Sequence, residues 1–466
     1  MRARDGRYRA IALFVLLLGV GLRVSLAMVN TESNDDHFPV IRILHAERRI
    51  PVKSDCWECF QPKLYHVAVA GLQTAFGADS AAAPVRLAQL INALAGAATL
   101  AVVYLFLRGL GVANEVALAG FALVALNPKL IAINAQATND SFAILFATLG
   151  LFFALHFFQK PGLRNFGWMT LSVILAALSK GNGLIVFCVL VAVFVLKLAG
   201  SLGARDAAAA WGRWLGAFCL VFLLFVPYLG QYWQNYRAYG SPFVINVRRE
   251  PLPHLFEKTY APWRGVTSIA DSYLTFRFVE LMRKPWIDYH PDVVSPRHRS
   301  SLWTQLYGRA HSAHFDGWPP SWRDPRTSTR NLARAAFLLA LVPTAFFLFG
   351  LARIASAGWV RGRAGLRASL EGPQGIMALT GLAHLAFSVL YSLQYRSFTT
   401  MKAIFLFPGL LAFVFLLAEG MQTVYGRGAS GGWARRMVGA ALAALLVVYG
   451  LDVLILIATL AGGRPA

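Results

Sequence analysis

The chain has 466 residues, of which 57% are hydrophobic and 14% are charged, and its formal net charge is +22. Soluble domains carry roughly 25% charged residues, so this composition excludes an ordinary soluble fold. In a soluble protein, so large a positive charge would indicate nucleic-acid binding. In a membrane protein it is better explained by arginine that sets topology, so no nucleic-acid partner is expected.

Apolar runs of about 20 residues recur along nearly the whole chain, and each is long enough to cross a bilayer. Because backbone groups in lipid must bond internally, such runs form helices. The sequence therefore predicts an all-α polytopic membrane protein with about eleven transmembrane helices, the first of them uncleaved because no cleavage site follows it. The predicted spans are residues 10–29, 84–107, 116–131, 140–158, 166–178, 183–199, 214–230, 332–352, 375–393, 402–420 and 437–460.

Lysine and arginine are distributed unevenly between the two ends of these spans. One side holds 17 of them, in segments 1–9, 108–115, 159–165, 197–213, 353–373 and 421–436, whereas short loops on the other side hold only Lys180, Arg396 and Lys402. Positive residues remain cytoplasmic. We therefore expect a protein of the bacterial inner membrane with a cytoplasmic N-terminus and its functional site on the periplasmic side.

The orientation divides the chain into three regions. An N-terminal transmembrane module, 1–230, contains a first outer loop at 30–83; a large outer loop covers 231–330, and C-terminal transmembrane helices cover 331–466. The first outer loop carries seven acidic and five basic residues, and the large outer loop carries 14 basic and eight acidic residues. Opposite charge on one membrane face predicts a site for a charged substrate. The large outer loop is also rich in aromatic residues and is expected to cover that site.

Two adjacent carboxylates, Asp35 and Asp36, follow the first span and precede His37. Neighbouring carboxylates repel each other, so their pairing suggests a use: a general base, metal ligands or hydrogen-bond acceptors for sugar hydroxyls. A solvated helix N-cap explains them equally well.

A second motif runs from Cys56 to His66 and includes Gln61, Lys63 and Tyr65. The short apolar segment 64–77 that follows predicts an interfacial helix, where Trp, Tyr and Lys serve as anchors. Lys63 could alternatively reach a lipid phosphate. On the outer face, Cys56 and Cys59 are expected to form a disulfide or remain free thiols. A zinc site would need two further ligands, such as His37 and His45.

Other polar residues are predicted on the same outer side. Asn139 and Asp140 lie in a turn that is either an N-cap or a functional site, since polar groups at membrane depth are costly. Cations can pair with phosphate or anchor the chain to anionic lipid; they are Arg23, Lys180, Arg237, Arg396 and Lys402. Arg23 is expected to snorkel from its apolar run to the membrane surface.

These motifs, in this order and on one side, resemble those of the GT-C superfamily of glycosyltransferases, in particular the branch of protein O-mannosyltransferases and lipid A aminoarabinose transferases. Further matches are residues 178–184, 235–242 and 401–408. Lys63 departs from the usual second proline of the family motif, and the paired cysteines are not a general family feature.

The resemblance implies an inverting transfer of sugar from a polyprenyl-phosphate donor to an acceptor hydroxyl of a protein, lipid or glycan. It makes Asp35 or Asp36 the catalytic general base. The implied substrate-binding residues are His37, Gln61, Lys63, Tyr65, Asn139, Asp140, Lys180, Arg237, Arg396 and Lys402. No cofactor is certain, although the acidic pair is a possible site for a divalent metal.

A transporter or flippase of lipid-linked sugars is the alternative, since it would bind the same phosphate without breaking a bond. Transporters usually place polar residues at the membrane midplane in repeated halves, whereas the polar residues here gather at one face. A non-catalytic scaffold is a third alternative.

Overall fold

The computed structural model describes residues 2–33, 35–77, 83–242, 269–285, 301–315, 319–322, 324, 326–360, 372–394, 401–426 and 432–462. Every regular element within these ranges is helical, as the composition predicted. The helices are α1 (Arg2–Val29), α2 (Phe38–Ala46), α3 (Leu64–Phe76), α4 (Ala83–Gly109), α5 (Asn114–Ala125), α6 (Pro128–Asn134), α7 (Asp140–Gln159), α8 (Leu163–Ser179), α9 (Leu184–Gly200), α10 (Arg205–Leu229), α11 (Gln231–Tyr239), α12 (Ile269–Tyr273), α13 (Phe278–Arg283), α14 (Leu302–His311), α15 (Thr327–Val360), α16 (Pro373–Gln394), α17 (Leu410–Tyr425) and α18 (Gly432–Ala461).

Within the described ranges, nine helical segments are long and apolar enough to cross a membrane. Together they make the chain an integral membrane protein. Helices α5 and α6 form a tenth candidate span, which is bent by 50°. The predicted span 166–178 corresponds to α8, whose 17 residues fall short of the usual length of about 20. The predicted count of eleven spans is therefore not confirmed.

The first outer loop contains two helices, α2 and α3, and α3 corresponds to the interfacial helix predicted over 64–77. The second of them, α3, is capped by Gly77, whose positive φ of 58° is a left-handed conformation that favours glycine. Helices α2 and α3 pack against each other, and α3 also packs against α4 and α8. Consequently the loop lies on the transmembrane bundle, where it can contribute to a site.

Close helix contacts join the C-terminal part of the bundle. A Cβ atom at Gly350 of α15 would overlap the carbonyl of Leu416, and one at Gly420 of α17 would overlap the carbonyl of Phe346. Since lipid gives little hydrophobic driving force between helices, small residues and close van der Waals contact hold such crossings together. This pair also packs against the N-terminal module through α17 with α5 and α7.

The break between α5 and α6 has a local cause. Pro128 has no N–H to continue the helical ladder. The side chain of Asn127 accepts a hydrogen bond from the N–H of Leu130 at 2.8 Å and caps α6. The predicted span 116–131 therefore divides here, and the last carbonyls of α5 need other partners.

Arg23 supplies those partners, in contrast to the expectation that it would snorkel. Its side chain is completely buried. The guanidinium donates to the carbonyl of Ala125 at 2.7 Å and to the Oδ1 atom of Asn134 at 2.9 Å. It also donates to the carbonyl of Gly19 on its own helix at 2.8 Å. The negative end of the α5 dipole holds the cation inside the bundle.

We expect Arg23→Met to lower the free energy of unfolding by about 2 kcal/mol or more, because buried carbonyl oxygens lose their donor. The exposed Arg86 provides a matched control, since it donates to the carbonyl of Met28 at 2.7 Å. Arg86→Met should change stability by less than about 0.5 kcal/mol. Unfolding of the purified protein in detergent would measure both, and equal stabilities would contradict the role assigned to Arg23.

Candidate functional site

A buried ion pair joins the start of α7 to the end of α8. The Lys180 ammonium donates to both carboxylate oxygens of Asp140, at 2.8 and 2.7 Å. Thr138 donates to the same carboxylate at 2.7 Å. The Lys180 and Asp140 side chains are only 10% and 2% exposed. The α7–α8 hairpin explains the contact, since its antiparallel helices bring residue 140 and residue 180 to the same end.

Lys180 carries its charge in this setting. Burial alone would lower the pKa of its ammonium, but the neighbouring Asp140 and Asp35 carboxylates outweigh that effect and raise the pKa above its usual value. The site therefore holds a permanent cation at its base.

Asp35 lies beside a second cation. The Nζ atom of Lys402 is 3.8 Å from the Oδ1 atom of Asp35, and these side chains are 27% and 28% exposed. Asp36, the other member of the acidic pair, is exposed. Lys402 directly precedes the helical turns that lead into α17, so residues far apart in the chain meet here.

Glu58 belongs to the same group, although sequence reasoning did not select it. It is only 2% exposed, and it accepts a hydrogen bond from Gln61 at 2.8 Å. Burial and the Asp35 charge raise its pKa to about 7, against the opposing effects of Gln61, Lys180 and Lys402. We refer to Asp35, Glu58, Asp140, Lys180 and Lys402 as the carboxylate–lysine cluster.

The turn that carries Glu58 is closed by a disulfide between Cys56 and Cys59, whose Cα atoms are 5.0 Å apart. This bond agrees with the expected disulfide and leaves neither thiol for zinc. Cys59 is completely buried and packs against Val40 and Ile43 of α2. Thus the turn is fixed to the helix that follows the acidic pair.

Lys63 lies beneath this turn and does not reach out toward lipid. Its ammonium donates to the carbonyls of Cys59 and Gln61 at 2.6 and 2.7 Å. The side chain is 6% exposed. Burial lowers the pKa of Lys63 to about 7, although Glu58 and Asp55 partly oppose the shift.

Two histidines lie next to the cluster. His37 Nδ1 and His66 Nε2 are 2.9 Å apart, and both side chains are completely buried. Burial lowers the pKa of His37 to about 4 and also lowers that of His66, so the pair is neutral at pH 7. The remaining ring nitrogen of His37 has no hydrogen-bond partner within the described part of the chain.

The other predicted residues occupy different positions. Asn139 donates to Gln61 at 3.1 Å and to the carbonyl of Ser179 at 2.9 Å, which places both amides at the cluster. The Tyr65 hydroxyl bonds to the carbonyl of Ala88 in α4 at 3.1 Å. Arg237 is exposed on α11. Arg396 lies outside the described residues.

The aromatic residues of the large outer loop fix its described part to the bundle. Trp322 is only 2% exposed and donates to Asn30, at the end of α1, at 3.1 Å. The N–H of Ala313 donates to Asp452 of α18 at 2.7 Å. Trp303 donates to the carbonyl of Tyr273 at 2.6 Å. These contacts anchor the segment next to the residues that precede Asp35.

The acidic pair has few partners that would suit a metal ion. In the described ranges, no three His, Cys, Asp or Glu side chains lie close enough to hold one. His37 bonds to His66 instead of joining the cysteines. A divalent metal at Asp35 and Asp36 stays a prediction.

We expect the Asp140–Lys180 pair to show strong coupling in a double-mutant cycle. Asp140→Asn and Lys180→Met should each destabilise the protein by about 3–5 kcal/mol, because each leaves a buried charge without its partner. The double variant should lose less than the sum. The exposed pair Glu47–Arg49, at 2.8 Å, is the control and should couple by about 0–1 kcal/mol. Additive losses at Asp140 and Lys180 would contradict the pairing.

The histidine pair should make the protein sensitive to acid. The pKa of His37 is lowered from 6.5 to about 4 by burial, so the stability it contributes is complete above pH 6.5 and is lost as pH falls towards 4. His37→Gln should therefore flatten the fall in unfolding temperature between pH 7 and pH 5. His45→Gln, in the same loop, controls for loss of a histidine; an unchanged slope for His37→Gln would refute the prediction.

Comparisons with known proteins agree with this architecture. Residues 72–239 match the model of the dolichyl-phosphate-mannose-protein mannosyltransferase family. The oligosaccharyltransferase of Archaeoglobus fulgidus, in its apo form, has a TM-score of 0.51 and 13% identity, over 98% of this chain and 56% of that one. The chain therefore spans little more than half the length of that enzyme.

ArnT from Cupriavidus metallidurans, bound to undecaprenyl phosphate, is also among the matches, with a TM-score of 0.34 and 15% identity over 92% of this chain and 79% of that one. No curated protein sequence matches the chain. The resemblance expected from the sequence is thus confirmed: the chain is similar to the GT-C glycosyltransferases in its fold and in the sequence of residues 72–239.

Proposed function

We propose that the chain is a membrane glycosyltransferase that moves a sugar from a polyprenyl-phosphate donor to an acceptor hydroxyl at the outer, periplasmic face. The observation that carries this proposal is the position of Asp35. This partly exposed carboxylate lies 3.8 Å from Lys402 and close enough to the buried Asp140–Lys180 pair to act on the Lys180 charge. A general base for an acceptor and cations for a phosphate leaving group are the two requirements of such a transfer.

The donor class follows from the cations and from the matched family. Lysine ammonium groups bind phosphate as compact point charges. The family that matches residues 72–239 is named for dolichyl-phosphate mannose, a sugar carried on a polyprenyl phosphate. The apolar helices around the cluster would accommodate the lipid chain, and the acceptor is a hydroxyl of a protein, a lipid or a glycan.

Asp35 would accept the proton of the acceptor hydroxyl, while the acceptor oxygen forms a bond to the anomeric carbon. The bond from that carbon to the phosphate oxygen breaks, and its electron pair leaves with the phosphate. Attack from the opposite side inverts the anomeric configuration. No general acid is needed, because the phosphate leaves as an anion, unlike the sugar alkoxide in glycosidase chemistry.

The two lysines would have separate tasks. Lys180 is fixed by both oxygens of Asp140, so it offers a preorganised charge for the phosphate. The contact of Lys402 with Asp35, at 3.8 Å, is longer than a hydrogen bond, and a donor phosphate could take over that contact. Movement of Lys402 to the phosphate would remove a positive charge from beside Asp35 and so make that carboxylate more basic.

We expect Asp35→Asn to reduce transfer by about 10²–10⁴-fold, since an amide cannot accept the acceptor proton. Asp36→Asn should retain most activity, because its side chain faces solvent. Transfer would be measured in membranes depleted of lipid-linked sugars and then supplied with defined polyprenyl-phosphate sugars. Full activity in both variants would show that neither carboxylate is the base.

Release of free polyprenyl phosphate in the same assay separates this enzyme from a transporter. A transferase produces one polyprenyl phosphate for each sugar transferred. A flippase would move the donor across the membrane without releasing it. Movement of intact donor without release would reject the proposal.

A further inference from the structure

The turn closed by the Cys56–Cys59 disulfide brings the carboxyl group of Glu58 into the site. This carboxyl group belongs neither to the acidic pair Asp35–Asp36 nor to the family motif. We propose that Glu58 is a positioning residue that keeps the turn containing Lys180 in place for the donor phosphate. The Cys56–Cys59 disulfide in turn holds Glu58 in the site. This inference rests on the proposed function for its substrate, whereas its structural basis is a continuous set of hydrogen bonds.

The first link connects Glu58 to α8. Its carboxyl group accepts from the Nε2 atom of Gln61 at 2.8 Å, and the Oε1 atom of Gln61 accepts from Asn139 at 3.1 Å. Asn139 also donates to the carbonyl of Ser179 at 2.9 Å. Ser179 directly precedes Lys180, so the hydrogen bonds end at the residue that bears the phosphate-binding charge.

Glu58 also determines which way Gln61 points. An amide can be turned so that its oxygen and nitrogen exchange places, and hydrogen-bond partners decide the orientation. Because Glu58 accepts from the nitrogen, the oxygen of Gln61 is directed to Asn139. Without Glu58, Gln61 would have no carboxyl acceptor to fix this direction, and the contact with Asn139 would be weakened.

The disulfide keeps the Glu58 side chain inside. Glu58 lies between the two bridged cysteines, and the N–H of Cys59 donates to the carbonyl of Cys56 at 3.2 Å. Lys63 closes the turn from below through its bonds to Cys59 and Gln61. Asn235 of α11 donates to the carbonyl of Phe60 at 3.3 Å from another side. A buried carboxyl beside Asp35 is unfavourable, so these constraints are needed to hold Glu58 in place.

The charged groups around Glu58 fit a positioning role. The charges of Asp35, Lys180 and Lys402 shift the pKa of Glu58, and the charge of Glu58 shifts the pKa of Lys63. These four residues come from separate segments: after α1, after α8, before α17 and at the start of α3. The pKa of about 7 leaves a large share of Glu58 neutral at pH 7. Glutamine therefore imitates its neutral form and still offers an oxygen to Gln61.

The test compares Glu58→Ala, Glu58→Gln and the double variant Cys56→Ser/Cys59→Ser with the exposed control Glu47→Gln in the same loop. Binding of undecaprenyl phosphate to the purified full chain and the KM values for donor and acceptor would be measured. Glu58→Ala and the double serine variant should each weaken binding and raise the donor KM about tenfold, as expected for loss of one or two net hydrogen bonds. The acceptor KM should not change.

Two comparisons separate positioning from a general loss of structure. Glu58→Gln should restore donor binding to within about threefold of the wild type, because the bond to Gln61 is retained. Combining Glu58→Ala with the two serine substitutions should be no worse than either change alone, since both act through the same contacts. Wild-type binding by Glu58→Ala, failure of Glu58→Gln to restore it, or additive losses would each overturn the inference.

Hydrogen exchange distinguishes this inference from the proposed function. Glu58→Ala should increase amide exchange around residues 135–140 and 179–183, and Glu47→Gln should not. If the wild type neither binds undecaprenyl phosphate nor transfers sugar, the proposed function fails whatever the exchange shows. If the wild type is active and exchange is unchanged in Glu58→Ala, only the role of Glu58 fails.

Discussion

The ion pair between Asp140 and Lys180 is the interaction on which this end of the bundle depends. Each partner would be costly to bury alone, and together they join the start of α7 to the end of α8. Because Asp140 fixes Lys180, a positive charge remains at the bottom of the cluster. Asp35, Glu58 and Lys402 then come from three other parts of the chain and surround that charge. Attraction between the carboxylates and the two lysines of the cluster therefore links segments that are far apart in the sequence.

Composition and hydropathy predicted much of the fold, because the physics of lipid leaves few alternatives to helices. The apolar runs became helices, and segment 64–77 became α3. The break at Asn127–Pro128 was harder to predict. The apolar pattern resumes directly after Asn127, Pro128 and Lys129, and the decisive fact is that Arg23, about 100 residues earlier, bonds to the end of α5. A charged residue in an apolar run looks the same in a sequence whether it reaches the surface or caps a broken helix.

The candidate site was predictable where charged residues follow a span directly. Asp35 was selected because adjacent carboxylates repel each other, and Asp140 because polar groups at membrane depth are costly. Lys180 and Lys402 were selected because cations can pair with phosphate, and the structure brings all four residues to one end of the bundle. Glu58 was not selected, because its segment was interpreted as a cysteine pair beside an interfacial anchor. Its burial follows from the disulfide and from packing of Cys59 on α2, which are contacts between segments. Lys63 shows the reverse: its sequence position suggested a lipid contact, yet its ammonium bonds to the backbone of that turn.

The broken span and the site are parts of one structure. Arg23 bonds to the Oδ1 atom of Asn134, and the amide nitrogen of Asn134 donates to Ser141 at 3.0 Å. Ser141 is the residue after Asp140 in the first turn of α7. Consequently the same side chain that satisfies the end of α5 also helps to fix the start of α7, where the buried ion pair begins. The end of α5 and the start of α7 are therefore held by one set of hydrogen bonds, in which the completely buried Arg23 takes part.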